Sequence, residues 1–307
     1  MPLSWAFAAA ARARWAMVKP MRVAVPVVCV GSLVVGGAGK TPTALAIAKR
    51  LSGQGHTPHF LTRGYRGHLK GLVRVDPVQH TALEVGDEPL LLAKAAPTWV
   101  SRDRRISAQT AIKDGATVLL MDDGFQNLGL EKDVSIIVID AGFGHGNGRL
   151  LPAGPLRESP TIGLARAHAV VMVDDQAATA GAVETGGLPV LNARLAPIQE
   201  STDRLGGARV IGFCGIGRPE KFFQTLSELG CTVVCTHGFP DHHPYTHGEL
   251  ERLRADALTT GARLVTTAKD LARIPSRIAE GLEVLEVNMQ FADPAALDAI
   301  LAPALKL

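Results

Sequence analysis

Aromatic side chains are scarce in this chain. Two tyrosines and three tryptophans among 307 residues leave little material for stacking nucleic-acid bases. Positive charge is not concentrated either: the net charge is +3, and no extended Lys/Arg run occurs. Together these exclude a general nucleic-acid binder. The four cysteines, Cys29, Cys214, Cys231 and Cys235, are too sparse and irregular for a disulfide framework. A reducing compartment is therefore the expectation. Cys231, Cys235 and His237 could begin a zinc site, but "CTVVCT" reads as a strand with buried thiols and no second ligand pair is evident. No apolar run reaches the roughly 18 residues that a membrane-spanning helix needs. What the chain has is a hydrophobic content of 47% against 20% charged residues, enough for a sizeable core and against wholesale disorder.

The N-terminus, "MPLSWAFAAAARARWAMVKPMR", predicts a helix over residues 1–22. Leu3, Phe7, Ala11, Trp15 and Val18 follow helical spacing, with Arg14 interrupting the stripe. Its charge follows the apolar segment, the reverse of a secretory signal. A helix packed on the protein's own core and a helix lying on an anionic membrane both fit this pattern.

Beyond it, near-continuous Val/Ile/Leu runs alternate with helical segments. "VPVVCVGS", "HFLT", "ATVLLMDDG", "VSIIVID" and "AVVMVDD" read as strands buried on both faces, the mark of a parallel sheet covered by helices. The fold class expected is α/β: a P-loop NTPase-type parallel sheet over 23–200 with a second, smaller α/β domain over 206–307. The polar "LAPIQESTDRLGG" between them reads as a linker. "AGFGHGNGRLLPAGPLRE" (141–158) is a Gly/Pro loop too long for a mere spacer.

"VVGGAGKTPTALAIAKRL" joins the first strand to a helix. Gly36, Gly37 and Gly39 let successive N–H groups curl around phosphate oxygens, Lys40 adds a cation, and the Thr41 hydroxyl can hold Mg²⁺. Val34, Val35 and Ala38 complete the loop. Val34 stands where the usual first glycine would be. Asp122 and Asp123 end a buried run and supply the acid that such a sheet places near the metal. A nucleoside triphosphate with Mg²⁺ is the ligand expected.

The remaining question is the acceptor. "TTAKDL" has Thr267, Lys269 and Asp270 spaced one residue off a guanine-reading element, which disfavours GTP. A kinase needs a carboxylate for the acceptor hydroxyl and cations for the transferring group. "LTRGYRG" (Arg63, Arg66), "VGDEPLLLA" (Asp87, Glu88) and "PDHHPYTHGEL" (Asp241, His242, His243) offer both. The residues alone leave other acceptors open, a soluble sugar or nucleoside, and also a P-loop switch with no acceptor.

Taken as a set, "VGGAGKTPT", "LTRGYRG", "VGDEPLLLA", "DDGFQN", "GNGRLLPAGPLRE", "FCGIGRPEKFF", "FPDHHPYT" and "TTAKD" resemble the tetraacyldisaccharide 4'-kinase family of lipid A biosynthesis, from roughly residue 25 to 270. The resemblance implies transfer of the ATP γ-phosphate to the 4'-hydroxyl of a tetraacylated glucosamine disaccharide 1-phosphate, giving lipid IVA. It implies Asp87 beside the acceptor hydroxyl, supported by His242 from the second domain. It further implies Lys40, Thr41 and Arg157 at the phosphates, and Asp122 and Glu158 with Thr41 at the metal. Arg63, Arg66, Asp123 and Gln126 would lie toward the substrate. An acylated substrate tips the N-terminal segment toward docking on the cytoplasmic face of a bacterial inner membrane. No protein partner is inferred.

Overall fold

The computed structural model describes residues 18–173 and 183–306. The central strand β1 (Val27–Gly31) is buried along its whole length. It lies parallel between β5 (Val118–Asp122) and β6 (Val134–Asp140), which are equally buried. Burial on both faces explains why these segments read as unbroken apolar runs. Period-two alternation then sorts their side chains. Val28, Val30 and Leu120 face one core layer, whereas Val27, Cys29, Leu119 and Met121 face the other.

Among the described residues the sheet has nine strands. β2 (Pro58–Thr62), β4 (Thr98–Val100) and β3 (Val73–Arg74) extend it beyond β5, and β7 (Ala169–Val173), β8 (Val190–Pro197) and β13 (Val287–Phe291) extend it beyond β6. Among the described residues only the β3–β4 and β8–β13 pairs are antiparallel. Helix α1 (Lys40–Gly53) follows β1 and packs Ile47 and Leu51 on the first layer. A second sheet is formed by β10 (Thr232–Gly238), β9 (Arg209–Cys214), β11 (Arg263–Thr267) and β12 (Leu282–Leu285), all parallel. Its neighbours Val210 and Ile211 point into separate apolar clusters on its two faces.

Three boundaries differ from the sequence expectation. The helix expected over 1–22 falls largely outside the described residues, and 18–22 are not helical. Met21 is held extended, donating to Gly129 O (2.9 Å) and accepting from Glu131 N (3.0 Å). The linker at 195–207 is the end of β8 followed by a helix, Gln199–Leu205, that buries Ser201 and Leu205. The smaller unit does not run to 307. Strand β13 returns to pair with β8, and the helix Pro294–Leu305 packs Leu297 and Leu301 into the large sheet's core. An Arg50–Asp298 ion pair, with Gln54 also donating to Asp298 (2.9 Å), fastens that helix to α1.

Leu301→Ala removes a fully buried side chain from the large core and is expected to cost roughly 2–5 kcal/mol. An unchanged midpoint in denaturant unfolding would detach the last helix from that core.

Candidate functional site

The phosphate loop explains its own missing glycine. Positive φ falls at Gly36 (106°) and Gly39 (88°), where a side chain would be strained. Val34 takes no such angle. It is buried, bridges Leu156, and donates its N–H to Ser32 Oγ (3.1 Å). The adjacent Val35 N–H donates to Pro155 O (2.9 Å). Position 34 thus serves as an edge contact for the 141–158 loop rather than as a turn, so glycine is not required there.

That loop delivers two charged residues. Arg157 donates its backbone N–H to Leu33 O (2.7 Å) and its guanidinium to both oxygens of Asp123 (2.8 and 3.1 Å) and to Gln126 Oε1 (3.1 Å). Gln126 Nε2 in turn donates to Glu158 Oε1 and Ser32 O, each at 3.0 Å. Glu158 Oε2 is paired with Arg166, whose guanidinium lies 4.4 Å from the Phe125 ring centroid. Lys40 Nζ, at the start of α1, donates to Gly36 O (3.0 Å) and stands 3.8 Å from Asp123.

The two adjacent acids have opposite surroundings. Asp122 completes β5 and is buried; its Oδ2 accepts from Thr41 Oγ1 (2.9 Å), while its Oδ1 is buried without a hydrogen-bond partner. Burial, with Glu88 and Asp123 adding to it, pushes Asp122 up to about 7 against the opposing effects of Thr41 and Lys40. Asp123 turns away at φ 48°. Burial raises it too, but Lys40 and Arg157 bring it below the ordinary carboxylate range.

Across an open cleft of about 2660 Å³ lies the second cluster. Asp87 opens the helix Asp87–Ala93 and is 3% exposed. Its Oδ1 accepts from Glu88 N (3.0 Å), and its Oδ2 is 2.8 Å from His242 Nδ1. His242 comes from the loop after β10, at φ 60°, with its N–H on Gly215 O (3.0 Å). Arg66, also at positive φ, donates to the carbonyls of Asp241 and His242 (both 3.2 Å), and the Tyr65 ring lies edge-on to His242 at 5.6 Å. Burial raises Asp87, yet the His242 hydrogen bond and the charges of Lys269 and Arg273 carry it below the usual range.

The cleft is lined by His242 on one wall, with Asp87 bonded behind it, and by Lys40, Thr41, Asp123 and Arg157 on the other, with Asp122, Gln126 and Glu158 behind these rather than in the lining. Arg66 reaches the cleft. Arg63 is exposed and lies outside its lining. Sequence reasoning assigned no role to Lys269, although "TTAKD" belongs to the set of motifs, or to Arg273 just beyond it; Lys269 pairs with Glu88 and, with Arg273, sets positive charge beside Asp87. It also missed Asp140. This buried residue at the end of β6 pairs with Arg218 and Lys221 of the small unit, each at 2.6 Å, and so joins the two sheets. A Cβ at Gly217 would stand 3.4 Å from Gly37 N, so the small unit's "GIG" turn sits directly over the phosphate loop.

A family model described as tetraacyldisaccharide-1-P 4'-kinase matches residues 1–306. The chain belongs to the tetraacyldisaccharide 4'-kinase family. Curated members from Rhodospirillum centenum and Paramagnetospirillum magneticum are 49% and 48% identical over 304 and 297 residues. These alignments cover 99% and 96% of this chain and 90% and 91% of theirs. The crystal structure of LpxK from Aquifex aeolicus in complex with ATP superposes with a TM-score of 0.78 at 28% identity, covering 99% of this chain and 98% of that one.

The elevated Asp122 gives a stability signature with a defined sign. The folded state holds this proton more tightly than the unfolded chain, whose carboxylate titrates near about 4. The stabilisation is complete below that pH and is lost as pH rises through about 7. The Tm advantage of Asp122→Asn over the parent, without nucleotide or Mg²⁺, is expected to grow between pH 5 and pH 8. An advantage that is absent at pH 8, or the same at both, would contradict the burial argument.

Proposed function

We propose that this chain transfers the γ-phosphate of ATP to the 4'-hydroxyl of a tetraacylated glucosamine disaccharide 1-phosphate, yielding the lipid IVA type of product. Family membership supports the substrate class. The observation that carries the reaction type is the 2.8 Å Asp87–His242 contact facing a glycine-lined phosphate loop across one cleft. A switch or binding module has no need of a buried, ionised carboxylate opposite its nucleotide.

In this reading the amides of Gly36, Gly37 and Gly39 and the Lys40 ammonium hold the triphosphate, with Arg157 braced on Asp123 beside them; the N–H groups of Val34, Val35 and Ala38, expected to join them, are taken by Ser32, Pro155 and Gly36. Asp87 accepts the hydroxyl proton as the new O–P bond forms and the bond to the leaving ADP breaks. His242 orients the carboxylate, and Arg66 with Tyr65 borders the acceptor's entry. The donor chemistry at Asp122 fits Mg²⁺: a buried carboxylate oxygen without a partner, a hydroxyl beside it, and a protonation level that a divalent cation would lower. Thr41 and Asp122 would hold the ion; Glu158, expected to join them, has its two oxygens taken by Gln126 and Arg166. When bound, it neutralises charge on the transferring phosphate.

The acylated acceptor resides in a bilayer, and among the described residues no helix is long and apolar enough to cross one. We place the protein on the cytoplasmic face of the inner membrane, docked through its basic, tryptophan-bearing N-terminal residues.

Asp87→Asn is expected to lower kcat at least about 100-fold with little change in KM for ATP, measured by radiolabel transfer to the glycolipid. Retained turnover would remove Asp87 from the chemistry. Removing residues 1–17 should reduce co-flotation with anionic vesicles, and unchanged partitioning would reject the docking segment.

A further inference from the structure

Lys269 is the least explained charge near the dyad. It sits on the short helix Ala268–Leu271, directly after β11, whose N-cap Thr267 hydroxyl accepts from Asp270 N (3.1 Å). Its ammonium reaches two groups at once: Glu88 Oε1 at 3.3 Å, on the large sheet's side, and His242 Nε2 at 3.4 Å. Burial disfavours its charge, but Glu88, Asp87 and Asp241 outweigh that and hold it protonated.

The imidazole is thereby constrained at both nitrogens. An ionised Asp87 can only accept, so the proton of the 2.8 Å contact belongs to Nδ1. An ammonium can only donate, so Nε2 must present its lone pair to Lys269. We propose that Lys269 is a positioning residue for phosphoryl transfer: braced by Glu88, it occupies His242 Nε2 and locks the ring in the form that donates Nδ1–H to Asp87. This rests on Asp87 being the base. The acceptor proton then goes to Asp87 alone, and His242 ends the step with the proton count it began with.

One group opposes this arrangement. Asp241 Oδ2 stands 3.7 Å from Nε2 and would favour a proton there. Lys269 is nearer, and it is held by Glu88 rather than by solvent. Arg273 Nε, 3.7 Å from Asp87 Oδ2, is anchored on Asp270 and on Gly215 O (2.9 Å), so it adds charge to the carboxylate without touching the ring. Without Lys269, Asp241 faces Nε2 unopposed, the ring can turn or change tautomer, and Asp87 loses a neighbouring cation.

The test uses full-length protein with Lys269→Met, Lys269→Arg and Asp87→Asn in parallel. Lys269→Met is expected to lower kcat by about 30- to 100-fold with KM for ATP changed less than threefold. The acid limb of its kcat profile should move to higher pH, because a carboxylate with one fewer cation loses its charge sooner on acidification. Lys269→Arg should recover at least about a third of the lost activity. In the parent, ¹⁵N NMR should find His242 protonated at Nδ1 and bare at Nε2; this measurement holds even if Lys269→Met folds poorly. A protonated Nε2 in the parent, or a Lys269→Met kcat within twofold of it, overturns the proposal. So does a loss confined to KM for ATP, which would make Lys269 a nucleotide ligand. If Asp87→Asn is impaired while Lys269→Met is not, only the lysine assignment falls. If Asp87→Asn is fully active, the base assignment falls and the lysine proposal with it.

Discussion

The Asp87–His242 hydrogen bond is the contact on which the rest of the site depends, because its two halves belong to different sheets. A buried carboxylate with no partner is costly and tends to neutralise. Asp87, on the large sheet's side, has one partner of its own there, the Glu88 N–H, and otherwise relies on groups carried by the small unit: His242, Lys269 and Arg273. Its charge is therefore a property of the assembled pair of sheets. The same logic recurs at Asp140, where a buried acid of the large sheet meets Arg218 and Lys221 of the small one. Both junctions set an acid of one unit against cations of the other. Parting the units would break both sets of pairs, so the two junctions hold the units against each other beside the cleft.

At the phosphate end the same physics separates two neighbours in sequence. Asp122 continues the strand and stays inside, where little but the Thr41 hydroxyl and the more distant Lys40 offsets the loss of water. Asp123 leaves the strand through a left-handed angle, and that single backbone turn delivers its carboxylate to Arg157 and Lys40. One acid is thus spent on holding the 141–158 loop against the phosphate loop. The other keeps an oxygen free of hydrogen bonds. Val34 belongs to the same construction: a branched apolar residue seals the joint with Leu156 that a glycine would leave open.

Much of this was legible in the sequence where the signal is local. The buried runs gave β1, β5, β6 and β7 because both faces of a parallel sheet demand apolar residues, and Gly-Lys-Thr between strand and helix gave the phosphate loop. The pairing of Asp87 with His242, 155 positions apart, has no local signature and came only through likeness to the family. Lys269 was hidden because a four-residue helix carries no periodicity, and Arg273 because it stands two residues past that helix with no motif of its own. The return of β13 and the last helix to the large sheet was missed for a related reason. Nothing in "VNMQF" says which of two sheets it will join, and that choice is made by the open edge at β8 and by the apolar stripe of Leu297 and Leu301. The helix at 199–205 escaped notice because only Ser201 and Leu205 face inward.

The two carboxylates central to the proposed reaction are displaced in opposite directions, and the displacement distinguishes their tasks. Asp87 lies below the ordinary range amid fixed protein cations, so it is ionised before any substrate arrives and gains nothing further from a metal. Asp122 lies above the ordinary range because burial, Glu88 and Asp123 outweigh Thr41 and Lys40, so a cation beside it would favour its charged form. A proton acceptor has to be ready in advance, whereas a metal ligand can be completed by the ion it binds. Exchanging the two environments would leave a half-protonated base and a metal site already filled by lysine and arginine. Neither carboxylate could then do the other's work, although the side chains are chemically identical.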